Sequence, residues 1–147
     1  MSVDLLNWKI LQCLQEHARQ SNAEIGRKVG ISSPAVSERI KKMEDLGIIT
    51  GYKTVVSPFD VGYQLKAIIT IRAFMGKLKP FLQKVKTYKE VLNCYRITGN
   101  ENIVMEVVLK DQKHLEKFID QLISYGETKT QIVLSNVIEN AAITKVK

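Results

Sequence analysis

The punctuation between residues 21 and 47 constrains this chain more than any other feature. Ser21-Asn22-Ala23-Glu24 has the form of a capping box, in which the serine hydroxyl and the glutamate carboxylate each satisfy an unpaired amide at a helix start. The helix so opened is short and meets Gly30, a residue that reaches the left-handed conformation of a sharp turn without steric penalty. Ser32 then caps a further helix that tolerates Pro34 in its first turn, where an amide has no intrahelical partner. Val36, Ile40 and Met43 give that helix an apolar stripe, and Gly47 ends it. Upstream, Asp4 is a good N-cap for a first helix with Leu6, Ile10, Cys13, Leu14 and His17 on one stripe. Downstream, residues 48–54 read as a short β-hairpin or wing.

Three helices with this turn bury one face of the second and third and leave the start of the third free to enter a major groove about 12 Å wide. Ser32, Ser33, Ser37, Glu38 and Lys41 are then placed to meet base edges, and Arg27, Lys28, Arg39 and Lys42 to meet phosphates, with Pro34 in the same DNA-binding set at the start of the helix. Local pattern alone leaves a second reading open, a small helical bundle that uses the same turn only for packing.

After residue 54 the pattern changes. Ser57-Pro58-Phe59-Asp60 interrupts it, so residues 1–54 form one expected domain, 55–62 a linker and 63–147 a second domain. Leu65, Ala67, Ile69, Ile71 and Ala73 alternate with more polar residues as in a strand, and a helix follows with Pro80 in its first turn. Strands over 91–98 and 103–110 flank the turn-rich Gly99-Asn100-Glu101-Asn102. Asp111 caps a helix whose Leu115, Phe118, Ile119, Leu122 and Ile123 fit the amphipathic template, and a last strand is expected over 130–138. The order β-α-β-β-α-β is that of ferredoxin-like folds. Ile68, Val104 and Val108 fall on the sheet face without helices, so a second copy is expected to cover it.

Composition narrows the class without deciding it. The net charge of +7 suits a nucleic-acid partner, yet residues 1–54 carry 8 Lys and Arg against 6 Asp and Glu, whereas residues 55–147 carry 14 against 9. Bulk charge therefore does not mark the reading domain. The start of the chain has no basic n-region and no apolar run is long enough for a membrane span, which gives an expectation of a cytoplasmic protein. Cys13 and Cys94 lie in different elements and are expected to be reduced and half-buried, with no zinc spacing, so no metal or cofactor is expected. His17 and His114 lie in separate helices with no recognisable nucleophile or Asp partner in sequence, and no phosphate loop or paired carboxylates support an enzyme. Trp8 lies off the apolar stripe and is expected to pack against another domain or subunit.

The ensemble resembles the Lrp/AsnC, or feast/famine, regulators over nearly its whole length. The resemblance rests on residues 3–11 (VDLLNWKIL), Ala18-Arg19, Glu24-Ile25-Gly26, Gly30-Ile31-Ser32, Val36, Glu38-Arg39-Ile40, Glu44 and residues 47–52 (GIITGY), with Arg96-Ile97-Thr98-Gly99 and residues 128–134 in the second half. It departs at Asn7 and Asn102, where the family usually has Asp. The resemblance implies an N-terminal winged helix-turn-helix domain and a C-terminal ferredoxin-like βαββαβ domain. It also implies homodimers that assemble further, often to octamers, and an amino-acid effector between subunits. Thr98, Gly99, Asn100, Glu101 and Asn102 are the implied effector residues, with Thr130 and Ser135 as candidates from a facing subunit. An architectural protein that bends DNA with little sequence preference, and a metabolite-binding or enzymatic module on the same α/β fold, remain as alternatives.

Overall fold

The computed structural model describes residues 3–147; Met1 and Ser2 of the expected first domain lie outside the described residues. The chain forms two compact units, one holding the N-terminal residues through Thr54 together with Ile138–Lys147, the other Val55–Val137. The last ten residues, expected in the second domain, thus group with the first unit.

In the first unit, α1 (Leu5–Glu16), α2 (Asn22–Val29) and α3 (Ser33–Asp45) pack around Ile10, Cys13, Ile25, Val36 and Met43. Each start is capped as the sequence requires. Asp4 accepts from the Asn7 amide at 2.7 Å, and Ser21 and Glu24 close the reciprocal box at 3.1 and 2.7 Å. Gly30 takes φ 82°, and its amide and that of Ile31 both donate to the Gly26 carbonyl. His17 is a correction to the expected stripe: α1 ends at Glu16, and His17 is its exposed C-cap. The expected hairpin over 48–54 is also absent, since no strand forms there. Ile49 packs against the helical core, and the Tyr52 hydroxyl donates to Glu44 at 2.7 Å, tying an extended arm to α3.

The second unit is a four-stranded antiparallel sheet in the order β2-β3-β1-β4, from β1 (Leu65–Ala73), β2 (Val91–Arg96), β3 (Ile103–Leu109) and β4 (Gly126–Ile132). α4 (Leu78–Lys84), continued by a 3-10 turn over Val85–Thr87, and α5 (Gln112–Leu122) cover one face. Ala67, Ile69, Ile71, Ile103, Met105 and Val107 meet Phe81, Phe118 and Leu122 there. The strand order and the βαββαβ sequence are ferredoxin-like. β4 lies earlier than expected. Gly126 begins it because a side chain there would collide with the Arg72 carbonyl, while Leu134, Val137 and Ile138 lie exposed beyond its end. Ile68, Val104 and Val108 occupy the face without helices, as their register opposite Glu106, Thr70 and Lys66 requires.

Candidate nucleic-acid interface and effector cleft

α3 divides cleanly by angle. At 100° per residue from the buried Val36, Ser37, Lys41, Pro34, Glu38 and Lys42 fall between roughly 100° and 240°, opposite the core. All five are exposed, as are Ser32 and Ser33 at the helix start, where the Ser32 hydroxyl accepts from Ala35 at 3.4 Å. The strip presents hydroxyls that donate and accept, one carboxylate and two ammonium groups. On α2, Arg27 is exposed, and Lys28, also exposed, donates to Gln20 at 2.6 Å.

Arg39 differs from the expectation. It sits about 60° from the buried direction, and its Nη1 donates to Asp4 at 2.8 Å and to Asn7 at 2.9 Å. The side chain ties α3 to the start of α1. The Asn7 amide and the Arg39 guanidinium hold the Asp4 carboxyl below its ordinary value. Burial and the bond to Glu44 push the Tyr52 phenol up to about 12, so it remains a donor at any ordinary pH. Trp8 is half-buried and shares a groove with Leu11, Leu14, Ile48 and Ile49.

In the second unit, the turn joining β2 and β3 is fixed by three bonds through Asn102. Its carbonyl accepts from Ile97 at 2.8 Å, its amide donates to Ile71 at 2.9 Å, and its Oδ1 accepts from the Ala73 amide at 2.7 Å. Thr98, Gly99 and Asn100 are exposed, and Glu101 is half-buried. Beside this turn lies an open polar cleft of about 290 Å³, lined by Asn100, Glu101 and residues the sequence reading missed: Thr70, Arg72, Glu127, Thr128 and Lys129. Only the pairing of β1 with β4 brings those residues to the turn, so no local motif announces them. Arg72 Nη2 donates to Glu127 at 2.6 Å, and Thr70 Oγ1 is buried without a partner.

Thr130 lies opposite Ile69 and is not among the residues that line the cleft. Ser135 follows Val133, whose amide donates to Lys66. At about 3.3 Å per residue, Lys66 is roughly 17 Å along β1 from Ile71, so one chain does not unite Ser135 with the turn.

Among the described residues no group of three or more His, Cys, Asp or Glu is placed to hold a metal ion, and no helix is long and apolar enough to cross a membrane. Cys13 is buried and Cys94 half-buried, both as free thiols.

A capped helix-turn-helix with an exposed polar strip, on one chain with a βαββαβ unit, has the architecture of a DNA-binding regulator. The winged helix-turn-helix DNA-binding family matches residues 3–50, and the Lrp/AsnC ligand binding domain matches residues 66–143. The chain belongs to the Lrp/AsnC family of transcriptional regulators. It is 34% identical over 136 residues to the HTH-type transcriptional regulator Ptr1 of Methanocaldococcus jannaschii, covering 90% of this chain and 92% of that protein. A transcriptional regulator of Neisseria meningitidis, solved as an L-Met complex, superposes with a TM-score of 0.92 at 28% identity over 97% of this chain and 96% of that one. AsnC of E. coli superposes with a TM-score of 0.84 at 32% identity over 95% and 97%. These relatives are transcriptional regulators, which sets the enzymatic alternative aside.

Proposed function

We propose that this regulator acts as a homodimer, assembling further to an octamer or similar particle, and reads DNA in the cytoplasm, on the nucleoid, through the exposed strip of α3. Ser32, Ser33, Ser37, Glu38 and Lys41 face base edges, Arg27, Lys28 and Lys42 face phosphates, and Pro34 lies on the same DNA-facing strip; Arg39 holds the reading helix in place. The observation that carries this reading is the set of uncommitted polar side chains opposite Val36. If about six phosphates are engaged by a dimer, affinity falls roughly a thousandfold between 50 and 200 mM salt. Ser37→Ala then changes which sequence is preferred, and Lys42→Ala weakens all sequences alike. A salt slope near zero refutes the reading.

The effector is a small amino acid held at the turn formed by Thr98, Gly99, Asn100, Glu101 and Asn102. The adjoining cleft favours a zwitterion, since Lys129 suits a carboxylate and Glu101 an ammonium on either side of the Arg72–Glu127 pair. The L-Met complex of the Neisseria relative supports this class of ligand. Because Asn102 Oδ1 already serves Ala73, Asn102 offers little to an ammonium; Asn102→Asp keeps that bond with one oxygen and presents a second, charged one. Calorimetric titration with a panel of amino acids is expected to reveal one that binds more tightly to Asn102→Asp. No binding by either form refutes the site. Thr130 and Ser135 enter only if a facing subunit presents them.

A further inference from the structure

The structure locates charge that the sequence total leaves unassigned. Val55–Val137 carries 12 Lys and Arg against 8 Asp and Glu. Five of the twelve, Lys77, Lys79, Lys84, Lys86 and Lys89, lie on or beside α4 and its 3-10 extension, and residues 74–89 hold no acid. Without those five the unit would carry one more acid than base, so its whole positive surplus sits on this one segment. All five lysines are exposed, while Phe81, Val85 and Tyr88 take the buried side. No ion pair among the described residues engages any of them. The next acid, Glu90, is paired with His114 at 3.0 Å, and Lys84 Nζ stands 5.8 Å from the Tyr88 ring centroid. α5 is different, since Lys113 and Lys117 there alternate with Glu116 and Asp120.

Five ammonium groups within thirteen residues, none in an ion pair among the described residues and only Lys84 near an aromatic ring, repel one another. A polyanion with closely spaced charges repays that repulsion by releasing its counterions, and duplex DNA is the polyanion this chain already engages. Lysine fits such a role because it meets phosphates as a point charge without demanding a fixed geometry. We propose that the α4 lysines form a second, sequence-independent DNA-backbone surface, which holds duplex flanking the segment read by α3. This rests on the chain's being a DNA-binding regulator and adds a contact outside the helix-turn-helix unit. In an assembly that presents several copies, such a surface favours DNA that follows the particle over DNA that leaves it.

The test uses full-length protein and mixed-sequence duplexes of about 20 and about 60 base pairs, the shorter holding little beyond two half-sites one turn apart. Binding is measured across a fourfold salt range for wild type, for a variant with all five lysines changed to Gln, for Lys79→Gln/Lys86→Gln, and for Lys42→Ala. Each phosphate contact adds about 0.9 to the log–log slope. Loss of two contacts lowers the slope on the long duplex by about 1.8, so the fourfold rise in salt costs wild type roughly tenfold more affinity than the five-fold variant. The double variant falls between them, and both variants match wild type on the short duplex. Lys42→Ala lowers affinity on both lengths; if it changes neither, the α3 reading fails independently. Equal slopes for wild type and the five-fold variant on the long duplex overturn the proposal, as does an equal loss on both lengths. Binding of wild type to anionic lipid vesicles, with the DNA slope unchanged by the Gln substitutions, assigns the surface to a membrane and also overturns it.

Discussion

Gly26→Ala is the substitution that most sharply tests how the reading unit is held together. Gly26 is buried inside α2, and a Cβ there would stand 2.5 Å from the Ile31 carbonyl oxygen. In an unhindered helix the change to Ala is favourable by about 1 kcal/mol. Here the turn cannot retreat freely, because the Ile31 amide donates to the Gly26 carbonyl at 3.0 Å and Gly30 donates to the same oxygen at 2.8 Å. Relieving the contact stretches or breaks at least one of these bonds, about 1 kcal/mol, and adds overpacking strain of about 1–3 kcal/mol. The net expectation is a loss of about 1–3 kcal/mol once the helix-propensity gain is subtracted. Trp8, the one tryptophan of the chain, lies in α1, so urea unfolding followed by its fluorescence reports this unit directly. The same displacement moves α3 relative to α2, so DNA affinity falls as well. A Gly26→Ala protein as stable as wild type, or more so, refutes the argument that close backbone approach dictates this glycine.

Arg39→Gln lowers the urea midpoint reported by Trp8, because α3 loses its link to Asp4 and Asn7, yet leaves the slope of DNA affinity against salt unchanged; a shallower slope would return Arg39 to the phosphate contacts. The reading unit also weakens in acid. Asp4 and Glu24 are held below their ordinary values of 3.8 and 4.5, Asp4 chiefly by the Asn7 amide and Glu24 by the Ser21 amide. A carboxylate depressed in the folded state contributes stability above its unfolded value and loses it as pH falls through the folded one. The urea midpoint is therefore expected to fall as pH drops below about 4.5, and Glu24→Gln flattens that dependence; equal pH profiles for the two proteins contradict it. Val104→Lys places a charge in the middle of the uncovered sheet face and lowers the assembly state seen by light scattering, while the circular dichroism of the fold persists. An unchanged oligomer puts the interface elsewhere.

The sequence is most informative where structure is local. The capping box, the Gly30 turn, the Asp111 cap and the alternation through β1 each follow from neighbours within a few residues, and all four appear in the fold. It misleads where partners are distant. Arg39 looks like a phosphate contact in isolation, and only the packing of α1 across α3 brings Asp4 and Asn7 to it. Residues 48–54 have the composition of a hairpin but find no strand to pair with in this chain. A strand over 130–138 takes in the apolar Val133 and Leu134, whereas the sheet takes the more polar Gly126–Ile132, where Gly126 leaves room for the Arg72 carbonyl. The cleft beside Asn102 is invisible for the same reason, since it is made by cross-strand register between β1 and β4.

If the exposed strip of α3 reads a defined DNA sequence as part of a symmetric assembly, that sequence is recovered by selection of bound duplexes from a random pool with the full-length protein at one fixed salt concentration. The expected product is a two-fold related pair of half-sites about one helical turn apart, or a multiple of it, with Ser37→Ala recovering a different sequence at the same spacing. A pool that returns unenriched, or one in which wild type and Ser37→Ala recover the same sequence, would contradict it.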